Sequence, residues 1–517
     1  MSIRLRSLGQ WLVACSLLGS ASSVVAQPAP AAPTRTAEEI TMLAQQYCGG
    51  CHNVPSPNIL PKRSWPALIR TMADIGKQRT GREYIPADVL RDITALYYGS
   101  SPTELPTLPF DEVPSPGRTF VRRELAALST NPTILNISAT KLRARSPRQF
   151  LVCDGELGKL QLLEQSGKKW KEKTLADITI PIHTQVIDFD ADGDLDIVVA
   201  DLGLMPPVGA LGGKVYLLRQ DPSGTFSREL LQGDLHRVAD ARAVDLDADG
   251  DLDVAVAEFG GSDAGSVFWL ENQGAGKFER KLLLKASGAL NVSPMDVDGD
   301  GRQDLVSLIA QEHESVVAFL NSGGGEFRKV VLASAPHPMY GSTSMSVVDL
   351  DQDHDDDILF TNGDAFDAQT DPKPYHGVQW LRNEGAGKFS FHDIGRFYGA
   401  ADAVAGDLDG DGDLDVVASS WVNYWNEPRR SSLLWYENTG KENFVPHPIS
   451  NRPAGLVTLE LIDMTGDGVL DIVAGAFRMD LLIAKMGEAY QAAPLFPSEE
   501  TAATLRSRVV LFENKSK

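Results

Sequence analysis

The chain has 517 residues, 43% hydrophobic and 23% charged, a composition that allows a large core and excludes a mainly disordered or collagen-like chain. A formal charge of −22 excludes nonspecific nucleic-acid binding, which needs Lys and Arg to replace counterions. Four cysteines, Cys15, Cys48, Cys51 and Cys153, are too few for a disulfide-stapled scaffold.

Residues 1–26 read as a cleaved export signal. Arg4 and Arg6 form a positive start, Leu8 to Gly19 is mostly apolar, and Val24-Val25-Ala26 suits cleavage before Gln27. Leu12-Val13-Ala14-Cys15 resembles a lipoprotein box, but the apolar run continues past it, so simple cleavage is the expectation. No later run reaches the roughly 18–20 apolar residues of a membrane span. The mature chain is expected in the periplasm or outside the cell, with no transmembrane span.

Residues 36–100 carry the first chemical motif. Cys48-Gly-Gly-Cys51-His52 is C-x-x-C-H, in which two thiols can form thioethers to haem and the adjacent His can reach iron. Half a zinc site is the alternative, but no other Cys or His occurs from 53 to 152. Thr36-Ala-Glu-Glu39 is a capping box, and the helix it starts runs into Cys48. A second helix is expected from Pro66 to about Ile75. A third runs from Pro86 to about Tyr98, with Val89, Leu90, Ile93, Leu96 and Tyr97 on one face. This stretch resembles a class I cytochrome c domain. The resemblance implies one covalent haem c held by Cys48, Cys51 and His52, with a Met as sixth iron ligand. Met72 is the only Met between His52 and Met205, although it follows His52 closely and falls in a helical stretch. Its alternative role is core packing beside Trp65 and Leu68.

Residues 101–128 form a Pro-rich linker, with Pro102, Pro106, Pro109, Pro114 and Pro116. From 129 to 517 the chain repeats. Copies of D-x-D-x-D-G-x-x-D begin at Asp188, Asp245, Asp296, Asp349, Asp407 and Asp463, at intervals of 51 to 58 residues. Each is followed by an apolar run, then by a second β-like run that often ends in N-x-G-x-G-x-F. A strand before the motif makes four per unit, which is one propeller blade. Phe150-Leu-Val-Cys153 and Gly158 to Leu163 repeat the later half of a unit without its Asp loop, giving seven units. A strand at about 131–138 is expected to complete the last blade and close the ring.

The Asp loops have the chemistry of calcium sites. Alternate carboxylates converge on one cation, Gly permits the turn, and the ninth Asp closes the shell. The ligand sets are Asp188, Asp190, Asp192 and Asp196; Asp245, Asp247, Asp249 and Asp253; Asp296, Asp298, Asp300 and Asp304; Asp349, Asp351, Asp353 and Asp357; Asp407, Asp409, Asp411 and Asp415; and Asp463, Asp467 and Asp471. The loop at Asp349 has His354 in place of Gly, and that at Asp463 has Thr465 at its third place, so three to six Ca²⁺ are expected. Loops and following strands resemble FG-GAP/VCBS-type repeats, as in integrin α-subunit propellers. The expected fold is thus multidomain: a small all-α cytochrome c domain followed by an all-β seven-bladed β-propeller.

With strands lettered A to D, the Asp loops and C–D hairpins share one face. The long B–C insertions (202–213, 362–377, 421–430 and 478–507) and the D–A loops share the other. That second face is the expected working face, with Trp421, Tyr424 and Trp425 as stacking groups and His236, Arg237, Tyr340, Tyr398 and Asp402 nearby. Cys153 is expected to be a buried, unreactive thiol. No catalytic residue can be assigned. Two functions remain. One is an exported cytochrome passing electrons to or from a redox protein or small-molecule donor or acceptor, as an oxidoreductase or the electron-accepting unit of one. The other is a calcium-dependent propeller recognising a glycan or cell-surface protein, with an accessory haem domain.

Overall fold

The computed structural model describes residues 30–50, 52–110, 118–143, 148–167, 169–205, 209–261, 264–365, 372–478 and 505–515. The export signal at 1–26 with Cys15, and the motif cysteine Cys51, lie outside the described residues.

Among the described residues three helices come first: α1 (Ala37–Cys48), α2 (Trp65–Thr80) and α3 (Ala87–Ser100). The capping box starts α1, with Thr36 N donating to Glu39 Oε2 at 2.8 Å and Glu39 N to Thr36 Oγ1 at 3.3 Å. Gly81, at φ 71°, ends α2 in the left-handed conformation that glycine adopts without strain. The apolar stripes of the helices meet in one core of Ile40, Ala44, Trp65, Ile69, Val89, Ile93 and Tyr97. Trp65 and Tyr97 pack edge to face at 4.6 Å between centroids.

Seven four-stranded antiparallel sheets follow. Blades one to six occupy 134–177, 181–235, 238–285, 289–334, 342–396 and 400–450, each built from four consecutive strands. B strands such as Asp196–Asp201 and Asp415–Ser420 are buried at every position, because neighbouring blades cover both faces of each sheet. This accounts for their continuous apolar runs. Val198 and Leu217 of blade two, for example, pack in one cluster with Ala241, Val254 and Phe268 of blade three. Each such Val, Leu or Phe contributes roughly 1.5–3 kcal/mol of burial, so blade-to-blade packing holds the ring. Cys153 is fully buried in this packing, and burial pushes its thiol pKa up.

The expected closing strand at 131–138 is corrected. The outermost strand of blade seven is Thr119–Glu124, paired antiparallel with Val509–Lys515 from Thr119 opposite Lys515 to Glu124 opposite Val510. Ile134–Thr140 is instead the inner strand of blade one. Burial gives the reason. Ile134 and Ile137 are fit for the crowded centre, whereas Thr119–Glu124 is mostly exposed and carries Arg122 and Arg123, charges that protect an outer edge. The last residues of the stretch read as linker therefore belong to the propeller.

Arg508 locks the closure. It is 5% exposed, pairs with Asp154 and Glu172 of blade one, and donates through Nε to Ala127 O at 3.2 Å. Truncation leaves Asp154 buried without its cation. Arg508→Ala is expected to cost about 3–5 kcal/mol in denaturant unfolding, and a loss below about 1 kcal/mol would count against this role.

Inner strands also join blades through carboxyls. Asp402 of blade six accepts from Ser344 Oγ of blade five at 2.8 Å and from Leu459 N of blade seven at 2.9 Å. Burial pushes Asp402 up to about 6 and Glu460 up to about 7. The folded state therefore binds these protons more tightly than the unfolded chain, and stability falls as pH rises between the two pKa values. Glu460→Gln is expected to raise the melting temperature at pH 8 and leave it nearly unchanged at pH 4; equal shifts at both would contradict this.

Candidate functional site

Each Asp loop is shaped by its first carboxylate. Asp188 Oδ2 accepts from Gly193 N at 3.1 Å, and Asp245, Asp296, Asp349, Asp407 and Asp463 accept from the sixth residue of their own loops at 2.9–3.2 Å. The sixth residue sits at positive φ, 90° for Gly193 and 78° for His354. The loop at Asp349 thus keeps the turn despite its histidine.

Carboxylate oxygens converge within 4.8 Å in five loops: Asp188, Asp190 and Asp192; Asp245, Asp247 and Asp249; Asp296, Asp298 and Asp300; Asp349, Asp351 and Asp353; and Asp407, Asp409 and Asp415. The loop with Thr465 forms no such triple among the described residues. These oxygen-only sets could hold a hard cation. Three of them already engage an arginine: Arg219 with Asp190 at 2.6 Å, Arg382 with Asp351 at 2.7 Å, and Arg302 with Asp300.

The ninth carboxylate has a second task. Asp253 Oδ2 accepts from Leu246 N at 2.9 Å and Oδ1 from Asn272 N at 2.8 Å. Asp196, Asp304, Asp357, Asp415 and Asp471 make the equivalent pair, to the loop's second residue and to the end of strand C. The loop is therefore latched to the C–D hairpin. Burial pushes Asp253 and Asp415 up to about 7 and Asp357 to about 6. Sequence reasoning missed the partner in this latch. The Asn that begins N-x-G-x-G-x-F also donates its side chain to the loop, as Asn272 Nδ2 does to Leu252 O at 3.1 Å. Its recurrence at one place in the unit was the available signal.

The FG-GAP-like repeat family profile matches residues 188–256, 245–307, 296–360 and 368–418, the stretches that contain these loops and latches. The chain carries FG-GAP-like repeats. No curated protein matches it. The repeats form a seven-bladed propeller whose Asp loops lie together on one face.

The helices pack on the opposite face of the FG-GAP propeller. Met339, on the loop between blades four and five, is 5% exposed and inserts into the helical core beside Trp65 and Tyr97. Asn53 Nδ2 donates to Ala335 O of the same loop at 3.0 Å, and Arg79 pairs with Glu312 of a B–C loop. Cys48 ends α1 and is partly buried. His52 follows within the adjoining loop, and its Nδ1 donates to Asn53 O at 2.9 Å, which leaves the Nε2 lone pair for a ligand. Cys48 and His52 could therefore hold a cofactor next to the propeller contact. Met72 lies outside the helical core at 38% exposure, so the core-packing role beside Trp65 and Leu68 is not the one it takes.

The aromatic groups expected to stack on a partner are engaged in packing. Trp425 is buried, Trp421 Nε1 donates to Gly363 O at 2.9 Å, and Tyr424 meets Tyr398 edge to face at 5.2 Å. Arg237 lies over Phe259 and donates to Leu204 O, while His236 N donates to Glu258. The linker crosses this face too, with Leu108 N donating to Tyr398 Oη at 2.8 Å.

Proposed function

We propose that the protein is an exported, periplasmic or secreted c-type cytochrome in which the helices carry the redox group and the FG-GAP propeller is a calcium-stabilised platform for its substrate or partner. The observation that carries this reading is the docking of the helices: the residue next to His52 bonds the propeller face opposite the Asp loops. A C-x-x-C-H donor set at the end of a helix suits covalent haem, with Cys48 and Cys51 as thioether anchors and His52 as iron ligand. The Nδ1–H bond of His52 orients the ring and fixes its tautomer. Met72, exposed on α2, is the candidate sixth ligand. When bound, the haem supplies one-electron transfer. Met339 and Asn53 hold the helices against the propeller, so electrons would exchange with whatever binds that face.

The protein would then act as an oxidoreductase or as the electron-accepting unit of one. A platform that only recognises glycans or cell-surface proteins is less well supported, because Trp421, Tyr424 and Trp425 are engaged internally. The test uses oxidised full-length protein under anaerobic conditions, with sugars, alcohols, amines, inorganic donors and small redox proteins added in turn while the reduced α-band is followed. Rapid reduction by one small molecule marks a dehydrogenase, and reduction only by proteins marks a shuttle. Protein matured in a haem-attaching host yet lacking covalent haem overturns the proposal.

A further inference from the structure

Between the linker and blades five and six lies a cavity of about 180 Å³, lined among others by Leu108, Pro109, Arg396, Tyr398, Asn423 and Arg430. Arg430 is 7% exposed. Its Nη atoms donate to Pro109 O at 2.9 Å and Leu108 O at 2.8 Å, but its buried Nε has no partner among the described residues. The guanidinium lies over the rings of Phe110 at 4.3 Å and Tyr398 at 5.0 Å. It has no carboxylate partner among the described residues, whereas Arg396 pairs with Asp393 and donates to Tyr375 O. An arginine stays charged, so this buried guanidinium has no counter-ion among the described residues. Tyr398 Oη accepts from Leu108 N, which leaves its O–H free to donate.

We propose that this cavity binds a small organic monocarboxylate, held by the Arg430 guanidinium and the Tyr398 hydroxyl with its short apolar body against Leu108 and Pro109. One uncompensated charge selects a monoanion. The apolar walls favour a carboxylate with a few carbons over a fully hydrated inorganic oxyanion. The site needs no redox group, so it stands or falls apart from the electron-transfer reading. Its occupation would tie the linker to the propeller, because Arg430 bonds both linker carbonyls.

Isothermal titration of the full chain at constant ionic strength, with propionate, acetate and sulfate as probes, tests this. Saturable one-site binding of propionate, weaker binding of acetate and weakest binding of sulfate are expected. Arg430→Gln should weaken propionate at least tenfold with an unchanged circular dichroism spectrum. Should that variant fail to fold, Tyr398→Phe, which keeps the ring, should weaken it severalfold. No saturable binding of propionate, sulfate binding tighter than propionate, or wild-type affinity in the folded variants overturns the proposal.

Discussion

On the proposed calcium occupancy of the Asp loops, a chelator should lower the melting temperature of the full-length protein by roughly 10–20 °C. Each occupied site stabilises the folded state by about 2.7 kcal/mol at a hundredfold excess over its Kd. Five loops gather three carboxylates within 4.8 Å, so the sum is on the order of 10 kcal/mol in a ring where one kcal/mol moves the midpoint by about 1–2 °C. The physical cause is local repulsion. Without a cation, three like charges crowd one turn, and the ninth carboxylate beside them holds the C–D hairpin through backbone donors. Loss of the ion therefore loosens two connections per blade. The Asp245→Asn, Asp247→Asn double variant should bind one calcium fewer and recover part of the chelator effect in wild-type calcium. Magnesium should restore little, because it demands tighter octahedral geometry. A melting curve that is the same with and without chelator, after metal removal is verified by elemental analysis, would defeat this account.

The repeat was readable because its determinants are local. The Asp loops, the apolar B strands and the Asn-Gly hairpins recur within each unit, and the seven blades follow from their spacing. The three helices were equally plain, with Thr36 and Glu39 marking the start of α1, Pro66 the first turn of α2 and one apolar stripe tracing α3, although α2 runs on to Thr80 rather than stopping near Ile75. What was not readable depends on distant partners. Thr119–Glu124 has no strong apolar alternation, and only its pairing with the other end of the chain makes it a strand of blade seven. Met339 reads as a loop residue until the helices close over it. Trp421 and Trp425 read as ligands for a partner because a long insertion usually lies on the surface. Gly363 O and the neighbouring apolar side chains satisfy them instead. His354 shows the reverse case, in which a residue that breaks the motif leaves the turn unchanged because the Asp349 bond imposes it.

Changing both Cys48 and Cys51 to Ala should abolish covalent haem while leaving the calcium-dependent melting of the propeller intact. The two properties separate because the Asp loops and the helical motif lie on opposite faces of the ring. The readout is the mass of the denatured chain together with haem staining on a denaturing gel. The single variants should each retain haem through one thioether at reduced yield. Met72→Ala then isolates the sixth ligand. If its thioether binds iron, the variant should keep the haem mass, lose the sulfur-to-iron charge-transfer band of the oxidised protein, and show a lower reduction potential, since thioether ligation raises it. His52→Ala should abolish both stable incorporation and the low-spin spectrum. Unchanged potential and spectrum in Met72→Ala would instead direct attention to Met339, a buried thioether that the propeller inserts among the helices.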